Sequence, residues 1–511
     1  MEVFELVIAL LLVGAALAAL ARRLNLPYPA LLALAGAALA LIPGTPSVSL
    51  DPELALALFV APVLLDAAFD ASPRDLRENW RPVASLALLA VGLTVAAVAV
   101  VARWFVPDLP WAVAIALGAI VAPPDAAAAT AVLRQLRPPH RLLVILEGES
   151  LFNDATALLI YRLAVAAAVG GVVIGWNVVP TLLLVTIGSL VLGVALSRVM
   201  LFLTSRVQDI ATTVVVQFIG TFAVWIIAEQ LHLSGILTMV VFAMTVARTA
   251  PDRIPARLRI PSYAVWEVAV FVLNVLAFIL VGLQLKPILA RLSSEEVVVY
   301  LGTATAVCVA VILVRMAWVM GAEVFTWWLY RREGGERCGS PRAALVVAWC
   351  GMRGTVTLAA ALALPTAGVG GGAFPYRDLV LFTSFCVVVG TLVVQGLTLG
   401  PLIRRLNLQH DDSVDREVEL ARRETAQAAV DVLDGTDGDL ALLLRRRYES
   451  RLARANGESR GDGHGSHGNL LRRAVEAERQ RLSSLRADGI IGDDAFHRVE
   501  EEIDRIEISA G

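Results

Sequence analysis

Residues 146–156 read LEGESLFNDAT and lie inside a long apolar run. The run is long enough for a helix that crosses the hydrocarbon core of a bilayer, which needs about 20 residues. Ionisable side chains inside such a helix cost several kcal/mol each, so each one requires a partner or a function. On a helix, Glu149 and Asn153 lie one turn apart, as do Ser150 and Asp154, so the four share one polar face. We therefore expect a helical membrane protein with a polar site at this point.

The composition of the whole chain agrees with this expectation. Of its 511 residues, 57% are hydrophobic and 17% are charged, and the mean hydropathy is +0.71. Soluble domains are about 45–50% apolar and about 25% charged, so a water-soluble protein is excluded. Lys286 is the only lysine among 43 basic residues, and no basic face with interleaved aromatics is present, so nucleic acid is not an expected partner. The four cysteines lack CxxC spacing, so no disulfide framework or metal site is predicted.

Apolar runs between charged or Pro/Gly-rich segments predict the transmembrane helices. We count thirteen, at residues 3–21, 28–43, 53–70, 82–105, 111–134, 141–168, 178–204, 209–230, 234–248, 262–285, 298–328, 343–366 and 378–402. The first run lacks a preceding basic segment and a cleavage site, so we expect a retained helix rather than a signal peptide. The loops on one predicted side of the membrane carry 18 arginines, whereas the loops on the other side carry four basic residues. This asymmetry predicts an N-terminus outside and a C-terminal tail in the cytoplasm.

Charge density divides the chain near residue 410. Residues 411–511 hold 23 acidic and 16 basic side chains, so we predict a transmembrane domain at 1–410 and a charged cytoplasmic tail after it. Apolar periodicity divides the tail into two amphipathic helices and a glycine-rich linker, at about 413–455, 469–506 and 456–468 respectively. His464 and His467 in the linker could bind a metal, but a solvated loop is favoured. The tail could regulate the protein or dimerise.

The fifth span contains an interruption. Pro123 and Pro124 stand in its middle, and each proline removes a backbone donor and clashes with the preceding turn. A broken helix at membrane depth is tolerated beside protein or a watery cavity, where its freed carbonyls can bind cations. Asp125 then starts the second half-helix, where the helix dipole favours a carboxylate. The alternative, a simple proline kink, gives Asp125 no role.

The twelfth span is interrupted as well. Gly351 and Gly354 bracket Arg353, and glycine weakens a helix interior by about 1 kcal/mol relative to alanine. The two interruptions are seven spans apart, as expected if spans 1–6 and 8–13 are six-helix repeats joined by span 7. Because corresponding spans are an odd number of crossings apart, they run in opposite directions through the membrane. The two repeats therefore have inverted topology. Paired broken helices in inverted repeats indicate the central site of a transporter.

Few ionisable residues lie inside the predicted spans: Asp66, Asp125, Glu149, Asp154, Arg162, Glu267, Arg315 and Arg353. Charge neutrality pairs Arg315 with Glu149, between the sixth and eleventh spans. It likewise assigns Arg353 to Asp125 and to the half-helix ends.

The polar face of the sixth span suits a small cation. Asp154, Asn153 and Ser150 offer a carboxylate, an amide and a hydroxyl, which are the hard oxygen ligands that such an ion prefers. The carboxylate could carry a proton instead. In the alternative interpretation, Glu149 is merely neutralised by an arginine, and Asn153 and Ser150 serve helix packing.

These motifs resemble the cation:proton antiporter family of sodium/proton exchangers, in particular its NhaP-type bacterial members. The similar segments are EGESLFNDA at 147–155, GMRG at 351–354, PVLLDAA at 62–68 and FILVGLQ at 278–284, together with the span-5 break and Arg315. The resemblance covers the first 400 residues or so. It implies an all-α polytopic membrane fold of about thirteen transmembrane helices, in two inverted six-helix repeats whose broken helices 5 and 12 cross. It also implies a homodimer, in which a core bundle moves against a dimerisation domain.

The resemblance also assigns residues. Asp154 would bind Na+ or a proton in competition, and Ser150 would be a second Na+ ligand. The other residues matched to the ion site or its surroundings are Asn153, Glu149, Asp125 and Pro124; the structural or gating charges are Arg353, Arg315 and Asp66. Many relatives read Thr-Asp-Pro in the fifth span, where this chain reads Pro124-Asp125-Ala126, so the threonine hydroxyl is absent.

We therefore expect a secondary transporter, not an enzyme, that exchanges a monovalent cation for protons across the inner cell membrane. Na+ is the expected cation, with Li+ and K+ as alternatives, and Asn153 before Asp154 is typical of electroneutral relatives. The expected role is pH and sodium homeostasis, and Na+ and protons are cargo, with no resident cofactor.

Three other classes of protein are alternatives to a secondary transporter. A channel needs a polar lining along its whole length, whereas the polar residues here gather at one depth. An intramembrane hydrolase is indicated only by Gly148-Glu149-Ser150, half of a G-x-S-x-G elbow whose closing glycine is replaced by Phe152. The third class is a membrane-embedded sensor that signals through the tail. Measurement of ion flux in the tail-truncated protein discriminates it from a transporter.

Overall fold

The computed structural model describes residues 2–24, 26–43, 54, 56–136, 138–170, 178–253, 256–333, 340–365 and 374–408. Within these ranges the regular elements are helices, and no strand is present. The two predicted tail helices, the linker between them and its two histidines lie outside the described residues. The prediction of a separate tail therefore stays a prediction.

In the described part of the chain we number eighteen α-helices. They are α1 (Glu2–Leu24), α2 (Tyr28–Ala40), α3 (Ala61–Asp70), α4 (Pro73–Glu78), α5 (Trp80–Ala84), α6 (Val91–Phe105), α7 (Trp111–Val121), α8 (Ala126–Leu136), α9 (His140–Ala168), α10 (Val178–Thr204), α11 (Ile210–Gln230), α12 (Gly235–Arg253), α13 (Ala256–Leu283), α14 (Leu285–Leu289), α15 (Ser294–Glu333), α16 (Pro341–Trp349), α17 (Thr355–Leu362) and α18 (Arg377–Leu406). Two π-helical segments, Leu56–Val60 and Ser85–Ala90, lead into α3 and α6.

Most of the predicted spans coincide with helices that are long enough to cross a bilayer. Within the described ranges there are nine such helical stretches, one of which, Trp111–Thr130, joins α7 and α8 across an interruption. They are Val7–Leu24, Trp80–Phe105, Trp111–Thr130, His140–Ala168, Leu183–Thr204, Ile210–Gln230, Pro261–Leu289, Glu295–Trp328 and Arg377–Leu406. The other four predicted spans fall on α2, on α3 with its π-helical segment, on α12, and on α16 with α17. The protein is thus an all-helical, multi-pass membrane protein. Thirteen, as the number of crossings, stays a prediction.

Both predicted interruptions are confirmed. Helix α7 ends at Val121 and α8 begins at Ala126, so the chain leaves the helix at the two prolines and Asp125. Helix α16 ends at Trp349 and α17 begins at Thr355, so the glycines and Arg353 form the second break. Each break places four or more backbone groups outside helical hydrogen bonding.

Most buried apolar side chains in the described ranges belong to one large core or to one smaller core. The large core is built mainly by α2, α6–α9, α13 and α15–α18. The smaller core joins α3, α10, α11 and α12, with Leu151 of α9. Helix α9 contributes to both cores, so its polar residues lie where the two cores meet.

Small residues allow α2 and α13 to pack closely. A Cβ atom on Gly36 would overlap the carbonyl of Ile279, and one on Gly282 would overlap the carbonyl of Ala33. Backbones in membrane helices approach this closely only where the side chains are small, and the gain is van der Waals contact. This contact fixes α13 against the large core.

Candidate functional site

The two breaks meet each other inside the large core. The backbone N–H of Asp125 donates to the carbonyl of Met352 at 2.7 Å. A Cβ atom on Gly354 would overlap the carboxylate of Asp125, so only glycine permits this approach. The predicted crossing of the fifth and twelfth spans is therefore present.

Arg353 neutralises the C-terminal ends of the half-helices at the crossing. Its Nε donates to the carbonyl of Val121, the last residue of α7, at 2.6 Å. Its Nη1 donates to the carbonyl of Gly351, just beyond α16. The last carbonyls of a helix lack intrahelical donors and carry partial negative charge, so a buried cation is stabilised there. With 1% of its surface exposed, Arg353 has no access to water.

Asp125 compensates the N-terminal ends of the half-helices. Its Oδ1 accepts from the amide of Ala127 at 2.9 Å. The amides of Ala128 and Thr355 also lie near this carboxylate, so it lies at the start of both α8 and α17. Orphan N–H groups and the positive ends of two dipoles favour a negative charge at this point.

The predicted compensation of the half-helix ends by Arg353 is thus present, but its predicted direct pairing with Asp125 is not seen among the described residues. The two side chains serve opposite ends of the same crossing. Thr391 of α18 contributes too, because its Oγ1 accepts the backbone N–H of Arg353 at 3.0 Å. Sequence reasoning missed Thr391, whose only signal is a hydroxyl in an apolar span.

The polar face of α9 contacts the first break. Ser150 Oγ accepts from the amide of Ala126 at 3.4 Å, and Asn153 Nδ2 donates to the carbonyl of Pro124 at 3.3 Å. Both contacts satisfy backbone groups that the break leaves outside helical hydrogen bonding. The structure therefore brings Ser150, Asn153, Pro124 and Asp125 together, as the sequence predicts.

Asp154 lies in the same turn of α9 with its acceptor atoms unused. Only 8% of its surface is exposed, and within the described residues its carboxylate makes no hydrogen bond or ion pair. The neighbouring Asn153 Oδ1 is fully enclosed and likewise has no hydrogen-bond partner in that part of the chain. Buried acceptors nearly always have a partner, so these atoms are suited to hold a cation, a proton or water.

Glu149, five residues earlier on α9, has the opposite environment. Both of its oxygens accept from Arg315 of α15, with Nη2 at 2.8 Å from Oε2. Arg315 also donates from Nη2 to the carbonyl of Val347 at 3.0 Å. This is the pairing predicted from charge neutrality, and it supports the structural interpretation of Glu149 over a role as ion ligand.

The other ionisable residues of the predicted spans lie away from these contacts, and Arg162 and Glu267 are exposed rather than buried. Asp66 of α3 and Glu267 of α13 line a large cavity together. Arg162 of α9 binds both carboxylate oxygens of Glu229, at the end of α11, at 2.8 Å. Sequence reasoning did not find the Arg162–Glu229 pair, because 67 residues separate its members and no local pattern relates them.

Comparison with known proteins identifies relatives of this chain. The sequence profile of a family described as "Sodium/hydrogen exchanger, transmembrane" matches residues 7–405. A protein of Mycobacterium tuberculosis (strain H37Rv), named as an uncharacterized Na(+)/H(+) exchanger, is 31% identical over 528 residues, which cover 99% of this chain and 96% of the relative. A sodium, potassium, lithium and rubidium/H(+) antiporter of Bacillus subtilis (strain 168) is 28% identical over 533 residues, covering 99% of this chain and 78% of the relative.

A solved structure also shares the fold. The sodium proton antiporter MjNhaP1 from Methanocaldococcus jannaschii, at pH 8, superposes with a TM-score of 0.61 at 19% identity. The match covers 78% of this chain and 99% of the neighbour.

Proposed function

The chain belongs to the sodium/hydrogen exchanger family, and we propose on this premise that it exchanges a monovalent cation for a proton, with Asp154 as the group that binds either one. The proposed cation is Na+, with Li+ and K+ as alternatives, since the Bacillus relative is named for several alkali cations. The proposed setting is the inner cell membrane, with the N-terminus outside and the tail in the cytoplasm. There the exchange would serve pH and sodium homeostasis.

One observation carries the assignment of Asp154. Of the two buried carboxylates on α9, which are five residues apart, Glu149 is held by a guanidinium, whereas Asp154 has no partner in the described part of the chain. Its neighbour Asn153 offers a second unused oxygen. A cation without its water shell needs several oxygen ligands, and the Asp154 carboxylate and Asn153 Oδ1 have no hydrogen-bond partner within the described residues. Ser150 Oγ is the third oxygen in the proposed set.

The exchange follows from the charge of a single carboxylate. When Asp154 is exposed to one side, it releases its cation or proton, and the competing ion replaces it. A bare carboxylate costs several kcal/mol in an apolar environment, so only the neutralised site moves to the other side. The fixed charges of Arg353 and Asp125 keep the crossing rigid while this happens, because each is compensated by helix ends.

This scheme predicts electroneutral exchange. One carboxylate binds one Na+ or one proton, so each cycle moves one positive charge in each direction. The side chains that hold the crossing and the Glu149–Arg315 pair stay charged throughout, so they add no net charge to the cycle. An imposed membrane potential should therefore leave the exchange rate unchanged.

Two further parts of the proposal rest on the family resemblance. The protein would act as a homodimer, in which the bundle around the crossing moves against a dimerisation domain. The charged tail after residue 410 would lie in the cytoplasm and regulate the exchange or assist dimerisation. Removal of the tail would then alter the rate without abolishing exchange.

The decisive experiment uses the Asp154→Asn variant in proteoliposomes loaded with a pH-sensitive dye. Addition of Na+, Li+ or K+ should produce a proton flux with the unsubstituted protein and a background signal with the variant, because an amide carries neither a proton nor a full charge. The Asp108→Asn variant, in an exposed loop, is the matched control and should retain the flux. Its thermal unfolding and that of Asp154→Asn should both stay normal. Cation-coupled proton flux from a folded Asp154→Asn protein would contradict the assignment.

A further inference from the structure

A large cavity lies among α1, α2, α3 and α10–α13, with a volume of about 790 Å³. That size lies within the range of small-molecule sites, which is about 300–1,000 Å³. Its walls carry Tyr28, Phe69, Tyr263, Trp266 and Phe271, and we call it the aromatic vestibule. Among the described residues, those that line it do not include the polar residues of α9. Its described lining therefore differs from that of the proposed exchange site.

The aromatic walls are held in place without a ligand. Phe69 and Tyr263 pack edge to face, with ring centroids 5.7 Å apart. The rings of Tyr28 and Phe271 lie 6.1 Å apart. Trp266 donates from Nε1 to Oε1 of Gln217 at 3.0 Å, which fixes the plane of the indole. Such preorganised rings bind a ligand with little loss of side-chain freedom.

The vestibule carries more negative than positive charge. Asp66, Asp70 and Glu267 line it, whereas Arg22 is the one basic residue among its described lining. The Arg22 guanidinium lies 5.5 Å from the centroid of the Phe271 ring, so one ring of the wall already faces a cation. The charge excess favours a positively charged ligand.

A buried amide also lacks a partner there. Asn274 lines the vestibule with 8% of its surface exposed, and no hydrogen bond of its side chain is found within the described residues. Buried side-chain amides nearly always have a partner in the protein or in bound molecules. Asn274 is thus a polar group directed at whatever occupies the cavity.

The lining indicates which kind of cation fits. A bare metal ion takes oxygen ligands on all sides, which aromatic faces do not supply. A cation with an apolar body gains from both surfaces, because ring faces attract the positive charge and bury the carbon atoms beside it. We propose that the aromatic vestibule binds an organic ammonium cation of the alkylammonium or alkyldiammonium class, at a site distinct from Asp154.

The test measures binding of hexamethonium, a chain with a quaternary ammonium at each end that neither gains nor loses protons. Titration calorimetry on the purified full-length protein in detergent should show saturable binding. The Trp266→Leu and Glu267→Gln variants should each weaken binding about tenfold or more, since a buried ring face or a negative charge of the lining is lost. Trp266→Phe keeps a ring and should weaken it less.

Two matched controls lie outside the vestibule. Trp104→Leu alters an indole on α6 that is 82% exposed, and Glu323→Gln alters a carboxylate on α15. Both should bind hexamethonium as the unsubstituted protein does. The Asp154→Asn variant should also bind it normally, so that binding stands or falls independently of the exchange activity.

The outcomes are decisive in either direction. The proposal is overturned if the unsubstituted protein shows no saturable binding, or if the control variants lose as much affinity as Trp266→Leu and Glu267→Gln. It is also overturned if Asp154→Asn abolishes binding, because the ligand would then occupy the exchange site. Thermal unfolding of each variant, measured alongside the titration, identifies any variant that fails to fold. The vestibule variant that does fold then tests the proposal.

Discussion

At the scale of single residues, two buried carboxylates on one helix have different environments. Glu149 and Asp154 are both buried acids of α9, with 1% and 8% of their surfaces exposed. Arg315 binds both oxygens of Glu149, which makes that charge permanent and structural. Asp154 faces no such partner among the described residues, so its charge is free to be neutralised by an ion or a proton. The environment, rather than the residue type, separates these roles.

The Glu149–Arg315 pair makes a testable contribution to stability. In the Glu149→Gln variant the guanidinium stays buried without a counter-charge, which should lower the free energy of unfolding by about 3–5 kcal/mol. Thermal unfolding in detergent measures the loss. The matched control is Glu229→Gln, which breaks a pair whose side chains are 43% and 38% exposed and should cost about 1 kcal/mol or less.

A double variant completes this test. Glu149→Gln combined with Arg315→Met removes both buried charges and should recover part of the loss. Equal destabilisation by Glu149→Gln and Glu229→Gln would show that the buried pair adds nothing beyond an exposed one.

Gly354 gives a second prediction at this scale. Alanine there would place a methyl group on the Asp125 carboxylate, so the crossing must open. The Gly354→Ala variant should lose most of its exchange activity and unfold at a lower temperature. Gly321→Ala, where no atom lies within 4 Å of the added carbon, is the control and should behave as the unsubstituted protein or slightly better, since alanine favours helices. Full activity in Gly354→Ala would exclude a tight crossing.

At the scale of elements, the two interrupted helices stabilise each other. Ends of like polarity meet, with the C-terminal carbonyls of α7 and α16 at Arg353 and the N-terminal amides of α8 and α17 at Asp125. Such a meeting is expected when two segments cross with opposite direction in the membrane. Exposed carbonyls or amides at membrane depth cost several kcal/mol. Each break therefore depends on the charged side chain that the other break supplies.

Substitution of Asp125 tests this dependence. Asp125→Asn keeps an oxygen that can accept from Ala127 but loses the charge that two dipoles favour, so it should lower stability moderately, by about 1–2 kcal/mol. Asp125→Leu removes the acceptor as well and should lower it further, leaving buried amides unpaired. Chemical denaturation in mild detergent would rank the three proteins. A leucine variant as stable as the asparagine variant would mean that the amides find other partners.

At the scale of the whole molecule, contacts between helix ends agree with the predicted alternation of the spans. Each of three contacts joins two ends that the span count places on the same side: Asp75 with His140 at 3.1 Å, Arg162 with Glu229 at 2.8 Å, and Arg291 with Asp378 at 3.7 Å. The direction of alternate spans is therefore consistent throughout these helices. Which side faces the cytoplasm rests on the arginine asymmetry alone.

Labelling of introduced cysteines tests the orientation. In a background without the natural cysteines, Asp108→Cys should react with a membrane-impermeant maleimide on intact cells, because its loop is predicted outside. Arg74→Cys, exposed at the other end, should react only after the membrane is opened. The two variants control each other, and the reverse pattern would show that the chain is inserted the other way.

The sequence alone determined the class of protein, the positions of the helices, both interruptions and the residues gathered at the first break. These features are local: apolar run length, proline and glycine chemistry, and side chains one helical turn apart. It also paired Glu149 with Arg315, because so few buried charges were available.

Only the tertiary structure decided how the crossing is neutralised, with Arg353 on carbonyls and Asp125 on amides. It also decided that Asp154, unlike Glu149, has no partner among the residues that the structure describes. It also assembled the aromatic vestibule from seven helices and paired Arg162 with Glu229. These contacts join residues that are distant along the chain, and no periodicity in the sequence encodes the packing that brings them together.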